Sequence, residues 1–365
     1  MSKDLLYKVA LNLMPNIGPV TVRNLVSYCG GVIEIFQANK KTLESIPGVG
    51  PSIAKIVTET AILDRAEQEL VFMKKNDVRA YFYLDEEYPK RLNHINDAPA
   101  LLFVKGNADL NPSRTVGIVG TRNQTPIGIA NCEALVEYLN KYNVTIVSGM
   151  AFGIDITAHK KACDINMTNL GIVAHGLDTL YPAAHKPIEK KLMLNGAMIS
   201  EFPSKTIPDK ERFPMRNRII AGMSDALVIV ETAASGGSMI TADMAFGYNK
   251  DLFAYPGRPQ DVYSQGCNTL IKRTKAYLTE SGQDVVEQMM WPLLDQTKEI
   301  QTALFVDLSP IEQKALDLIR KHAELSVDQI AGYMGTTPSE TASILLQLEF
   351  SGLIKNIPGK RYIMV

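Results

Sequence analysis

The sequence predicts an α/β protein: a doubly wound, mainly parallel sheet flanked by a helical domain and a winged helix. Three observations predict it. Nine short apolar runs between residues 79 and 278 alternate, for most of their length, with segments of helical period, which implies a parallel sheet covered on both faces. Four of those runs lead straight into glycine-bearing loops, as strands of a Rossmann-like sheet do at their carboxyl ends. The last 58 residues, 308–365, carry helix-start signals of their own.

Bulk properties narrow the function classes. At 365 residues the chain holds two or three domains. Its net charge of −1 excludes any argument from global basicity, so nucleic-acid binding would need a local cationic patch. Cys29, Cys132, Cys163 and Cys267 are scattered without a C-x-x-C pair. That favours reduced thiols in a cytoplasmic compartment over a zinc site or a disulfide framework. Residues 3–12 alternate polar and apolar, unlike a signal peptide, and no 18-residue apolar run suggests a membrane span.

Residues 1–70 read as short helices. Met14-Pro15-Asn16-Ile17-Gly18-Pro19 and Ile46-Pro47-Gly48-Val49-Gly50 punctuate them. The second resembles a helix-hairpin-helix turn, whose glycines expose backbone N–H groups at a helix start. Only Lys55 and Arg65 follow it, a thin basic face that favours a packing or protein-contact module over phosphate binding. Residues 71–291 form the core, with strands expected at 79–84, 101–104, 116–119, 145–147, 169–173, 197–199, 226–230, 252–254 and 276–278. After 116–119, the spacing of Ile129, Ala130, Ala134, Leu135 and Leu139 predicts a helix. Residues 292–307 read as a linker. In 308–365, Ser309/Glu312, Ser326/Gln329 and Thr337/Glu340 each fit a capping box. Apolar segments then flank Pro358-Gly359, so three helices and a hairpin predict a winged helix. Its third helix, 338–350, has no Lys or Arg, which favours protein contact over groove binding.

Four loops converge on one sheet edge: Gly120-Thr121-Arg122, residues 148–155, residues 176–182, and Ser235-Gly236-Gly237-Ser238. Together they argue for an anion-binding crevice of backbone N–H groups, with Arg122 adding a planar donor fork. No Walker-type P-loop occurs, and the first loop is not G-x-G-x-x-G, so no nucleotide cofactor is indicated. His159, His175 and His185 have no metal-triad spacing. Asp155 and Glu231 could be general bases, but structural roles are preferred: a loop or helix-start acceptor for Asp155 and a hydrogen-bonding strand terminus for Glu231. Lys210, Arg212, Arg216 and Arg218 surround Phe213, with Asn217 between the last two. Cations that track phosphates beside a ring that stacks on a base suit single-stranded nucleic acid; a solvated helix start with Phe213 in the core is the alternative.

In order along about 170 residues, these segments resemble the DNA-processing protein A (Smf) family. The matches are residues 116–122, 148–155 with Ala158-His159, Gly176-Leu177-Asp178 with Tyr181-Pro182, Ser200-Glu201-Phe202-Pro203, 213–220, 235–242, Tyr255-Pro256-Gly257, and Gly266-Cys267-Asn268 with Leu270-Ile271. The resemblance implies a SAM-like helical N-terminus and a winged-helix C-terminus. It implies a non-enzymatic protein of natural transformation, without cofactor or metal, that binds and protects incoming single-stranded DNA. It further implies loading of a RecA-type recombinase, and homodimer formation through the α/β domain. The family's DNA pocket falls on Gly120, Thr121, Arg122, Lys210 and Phe213, with Arg216, Asn217, Arg218, Ser235, Gly236, Gly237 and Ser238 as further contacts. One departure is His175, where the family usually has a small or apolar residue.

The competing class is an enzyme, a nucleotide N-glycosidase resembling the lysine-decarboxylase-like proteins. Those carry P-G-G-x-G-T-x-x-E at a helix start, and the segment opening at Ser235 lacks that final Glu. A third class is a scaffold whose end domains bind proteins. Salt-sensitive strand binding separates the first class from the third, and release of free base from nucleoside monophosphates would mark the second.

Overall fold

The computed structural model describes residues 3–58, 61–293, 309–322, 325–351, 353–357 and 361–364. The chain forms two compact units, Met1–Leu294 and Asp295–Val365. The first opens with six helices: α1 (Lys3–Leu13), α2 (Pro19–Cys29), α3 (Val32–Gln37), α4 (Lys40–Glu44), α5 (Pro51–Thr58) and α6 (Ala61–Asn76). Proline at N1 starts α2, and Gly30, at φ 86°, closes it in the left-handed conformation that glycine adopts without strain. The expected domain boundary at residue 70 falls inside α6.

These helices share an apolar cluster with the sheet. Val9, Leu25, Ile35 and Leu70 belong to the same buried group as Phe82, Phe103, Met150 and Val173. Polar ties reinforce the contact. Buried Glu69 accepts from Ser204 N at 2.8 Å and Ser204 Oγ at 2.6 Å, and Arg65 pairs with it at 2.8 Å.

All nine expected strands are present: β1 (Val78–Phe82), β2 (Leu101–Gly106), β3 (Thr115–Val119), β4 (Thr145–Gly149), β5 (Asn169–Ile172), β6 (Gly196–Ser200), β7 (Ala226–Ile229), β8 (Asp251–Ala254) and β9 (Tyr277–Leu278). They make one sheet in the order β1-β2-β6-β5-β4-β3-β7-β8-β9. From β6 to β9 every pairing is parallel, while β1 and β2 run antiparallel at one edge. Strand order builds outward from β3 to β6, then returns to place β7 on the other side of β3. That reversal is the point where open α/β sheets bind ligands.

The helices of the core are α7 (Pro126–Asn140), α8 (Ile154–Asp164), α9 (Lys186–Leu192), α10 (Arg212–Met223), α11 (Gly237–Gly247), α12 (Gln265–Lys272) and α13 (Gly282–Gln288). Strand alternation sorts the apolar side chains between two layers. Val116, Ile118, Ile146 and Val228 pack with Cys132, Leu135 and Val285 on one face. Val147, Leu227 and Ile229 pack with Ile219, Ile220 and Ala242 on the other. Gly117 in β3 is needed for this packing. A Cβ there would run into Ser224 and Leu227, where the end of α10 rests on the sheet.

The second unit has α14 (Pro310–His322), α15 (Val327–Met334), α16 (Pro338–Phe350) and a small sheet. All three capping boxes form: Ser309 with Glu312, Ser326 with Gln329, and Thr337 with Glu340. Its strands are β10 (Leu325–Ser326), β11 (Ile354–Ile357) and β12 (Arg361–Met364), with β12 in the middle. β10 was not expected from sequence. The Pro358-Gly359 turn lies outside the described residues, as does most of the expected linker.

Candidate nucleic-acid interface

The loops leaving β3 and β7 close on each other at the strand-order reversal. Thr121 N donates to Glu231 O at 2.7 Å, and Ile154 N donates to Thr121 O at 3.2 Å. Glu231 accepts from Thr125 N at 2.9 Å and Thr125 Oγ1 at 2.5 Å, fixing the N-cap of α7. It is therefore the hydrogen-bonding strand terminus that the sequence suggests. Gly153 has φ 83°, and a Cβ there would overlap Thr121 O and the Arg122 backbone. Only glycine lets the second loop press against the first.

Around these loops lies an open crevice. Gly120, Thr121 and Arg122 form one wall, and Lys210, Phe213, Arg216 and Asn217 another. Gly236, Gly237 and Ser238 close it at the N-terminus of α11, whose N-cap Gly236 has no side-chain cap. First-turn N–H groups of a helix have no intrahelical acceptor, and the helix dipole adds positive charge there. Ser238 Oγ itself donates to Thr232 Oγ1 at 2.7 Å, so its contribution to the crevice is the backbone.

Helical spacing explains which residues of α10 reach the crevice. Phe213, Arg216, Asn217 and Ile220 recur at i, i+3, i+4 and i+7, one face of the helix, and all four line it. Arg218 sits on a different face. Its guanidinium is buried against Glu201 at 2.5 Å and the Asp97 carbonyl. The sequence expectation that Arg218 touches DNA is thus corrected: it is consumed in a buried ion pair joining α10 to the end of β6. Ser235 is exposed but outside the crevice lining.

Arg216 is buried too, but it stays at the crevice. Its Nη1 donates to Ile172 O at 2.8 Å, and its Nε has no partner among the described residues. A Cβ at Gly149 would overlap the guanidinium. Burial lowers the Arg216 pKa, opposed by the charge of Asp155. Asp155, in the first turn of α8, accepts from the backbone N–H groups of Ala151 and Gly120. Burial pushes its carboxyl up to about 6, against the pull of Arg216 and Arg122. Of the loop or helix-start acceptor roles preferred for Asp155, its geometry matches the loop acceptor, since both donors lie in the loops after β3 and β4.

The ring chemistry is richer than one phenylalanine. Phe213 is half-buried, with the exposed Arg122 guanidinium 5.3 Å from its centroid and that of Arg216 at 5.9 Å. Tyr181 stands beside it, ring centroids 6.2 Å apart, and is 47% exposed. On the far wall, Asn123 Nδ2 donates to Tyr263 Oη at 3.0 Å, and Thr232 N donates to Tyr263 O at 2.6 Å. Tyr181, Asn123, Thr232 and Tyr263 were not among the expected contacts. Tyr181 ends a glycine loop and Asn123 follows Arg122, so both carried a signal. Tyr263, 140 residues from Asn123, carried none.

The histidines have separate structural partners. His159 is wholly buried, Nδ1 meeting Asn169 Oδ1 at 2.8 Å, and burial pushes it down to about 4. His185 Nδ1 meets Met150 O at 2.8 Å, and Phe152 packs edge-on against its ring. His175 braces the third loop: Nδ1 lies 2.9 Å from Gly176 O, and Tyr181 N donates to Nε2 at 3.2 Å.

The first-turn N–H groups of α11, exposed cations and an aromatic corner suit a chain of phosphates with unpaired bases. The model of the family described as DNA recombination-mediator protein A matches residues 79–290, the sheet and every loop of this crevice. The chain belongs to that family. The DprA winged helix domain matches residues 302–360. Protein Smf of Synechocystis is 28% identical over 98% of both chains. Protein Smf of Escherichia coli is 31% identical over 84% of this chain and 86% of its own. DNA processing protein DprA of Streptococcus pneumoniae is 38% identical over 57% of this chain and 73% of its own. Its solved structure matches with a TM-score of 0.63 at 29% identity, covering 79% of this chain and 98% of that one. The DNA processing protein A structure from Helicobacter pylori, reported for its unique single-stranded DNA binding mode, matches at TM-score 0.53 and 29% identity, covering 58% and 95%.

Proposed function

We propose that this chain is a non-catalytic single-stranded DNA-binding protein of natural transformation. It shields incoming strands in the cytoplasm and hands them, as a homodimer, to a RecA-type recombinase. The observation that carries the reading is the clustering of Arg122, Lys210 and the α11 N-terminus around Phe213 and Tyr181 at the strand-order reversal. Relatives that share the fold over most of the core carry names of DNA processing, and one was solved for its single-stranded DNA binding mode.

Each part has a defined task in this reading. Backbone donors at the start of α11 hold phosphate oxygens, and Arg122 and Lys210 neutralise them. Phe213 stacks on a base. Because the exposed Arg122 guanidinium covers that ring in the free protein, the arriving base displaces it, leaving the arginine to clamp the adjoining phosphate. Arg216 braces the ring from the buried side.

The test is fluorescence anisotropy with a labelled oligonucleotide across a salt series. Arg122→Ala and Lys210→Ala are expected to weaken binding and flatten its dependence on log salt, since each removes a cation that releases counterions. Unchanged affinity and slope in both variants would overturn the assignment of the crevice.

A further inference from the structure

We infer that Tyr181 is a second base platform, and that His175 is the positioning residue that holds it there. The inference rests on the single-stranded DNA reading and deepens it. Phe213 is half-buried and already covered by two guanidinium groups. Tyr181 is the more open ring of the pair, with 47% of its surface exposed. The two rings stand 6.2 Å apart at an interplanar angle of 50°. Two bases sandwiching between parallel rings would need about 3.5 Å on each side of each base; this tilted pair instead forms a corner. One base stacks on each ring, and the strand turns between them.

A platform of this kind needs a fixed backbone, and Tyr181 belongs to a loop, 173–182, rather than to a helix or strand. His175 supplies the fixing. Its imidazole is buried and shares both nitrogens with the loop: Nδ1–H donates to Gly176 O, and Nε2 accepts from Tyr181 N. That pattern requires the neutral Nδ1–H tautomer. Ser200 Oγ donates to His175 O at 2.7 Å, anchoring the residue's own backbone to the end of β6. Within the loop, Lys205 N donates to Asp178 Oδ1 at 3.0 Å, and Pro203 and Ser204 approach Gly176 closely. A small apolar residue at position 175 could make neither imidazole bond, so the Tyr181 backbone would lose its only side-chain acceptor among those described here.

The test measures single-stranded DNA affinity and melting temperature for Tyr181→Ala, Tyr181→Phe, His175→Ala, His175→Gln, Lys210→Ala and the double variant His175→Ala/Tyr181→Ala, on the full chain. Tyr181→Ala is expected to lose roughly 5- to 150-fold in affinity with little change in melting temperature, the usual range for one base–aromatic stack. Tyr181→Phe keeps its affinity, since stacking needs the ring and not the hydroxyl. His175→Ala loses a comparable factor and adds nothing to Tyr181→Ala in the double variant, because both act through one ring. His175→Gln, whose amide oxygen can take over as acceptor, restores most of the binding. Tyr181→Ala binding as tightly as the unmodified chain, while Lys210→Ala weakens it, overturns the second platform and leaves the crevice standing. Additive losses, or no rescue by glutamine, overturn the role of His175. An unmodified chain that does not bind single strands at all overturns both this inference and the function it rests on.

Discussion

Asp155→Asn separates the cost of burying a charge from the benefit of its two arginine neighbours. Burial raises the Asp155 carboxyl from 3.8 to about 6 in the folded chain, and Arg216 and Arg122 only partly offset it. Folding therefore takes up a proton between those two values. The stability tied to this group is fully present below about pH 3.8 and is lost as pH rises through about 6. A gap of roughly two pH units, at about 1.4 kcal/mol each, amounts to about 3 kcal/mol. Asparagine keeps the shape and one acceptor but carries no charge at any pH. The unfolding free energy of Asp155→Asn minus that of the unmodified chain should thus move by roughly 2 kcal/mol in the variant's favour between pH 4 and pH 8, the unfolded carboxyl being already part-ionised at pH 4. Taking the difference cancels other titrating groups. Urea titration followed by tryptophan fluorescence reads the correct unit, because Trp291, the one tryptophan of the chain, packs against the apolar cluster that includes Val116 and Ile118. A difference that is flat with pH, or that favours the unmodified chain as pH rises, would show that Arg216 and Arg122 outweigh burial.

Three further outcomes follow from the geometry. Phe213→Ala should weaken single-strand binding by about 1–3 kcal/mol with an unchanged salt slope, and Phe213→Trp should retain much of it; a large fall in melting temperature with no affinity change beyond the unfolded fraction would return Phe213 to the core. Arg218→Ala should leave the salt slope intact and cost about 3–5 kcal/mol of stability, because it strands the largely buried Glu201 carboxylate; an altered slope in a fully folded variant would put Arg218 back at the DNA. Removing residues 308–365 should leave single-strand binding within about tenfold, roughly 1.4 kcal/mol, since α16 carries no Lys or Arg; a greater loss in a folded truncation would give the winged helix a direct share in the strand.

Much of the fold was legible because each signal was local. Parallel strands are short apolar runs punctuated by glycine, and nine of nine appear at their expected places. The three capping boxes are four-residue patterns whose hydrogen bonds close within one turn. β10 was illegible: two residues, Leu325 and Ser326, make no run, and they become a strand only by pairing with Tyr362 and Arg361. The site divides along the same line. Gly120, Arg122 and Phe213 sit in recognisable loops and at a helix start. Arg218 was misread because its partner Glu201 lies in another element, although helical spacing from Phe213 already sets it off the crevice face. Tyr263 is held at the crevice by its bonds with Asn123 and Thr232, pairings that no local pattern encodes.

In the function proposed above, the crevice at the β3–β7 reversal holds single-stranded DNA. The most direct measurement is a salt-dependent titration of the full chain with single-stranded and duplex oligonucleotides of equal length, with oligomeric state recorded at each concentration. Tighter binding of the single strand is expected, with little dependence on its sequence and with log affinity that falls linearly with log salt. Equal binding of both forms at moderate salt, or single-strand binding indifferent to salt, would contradict it.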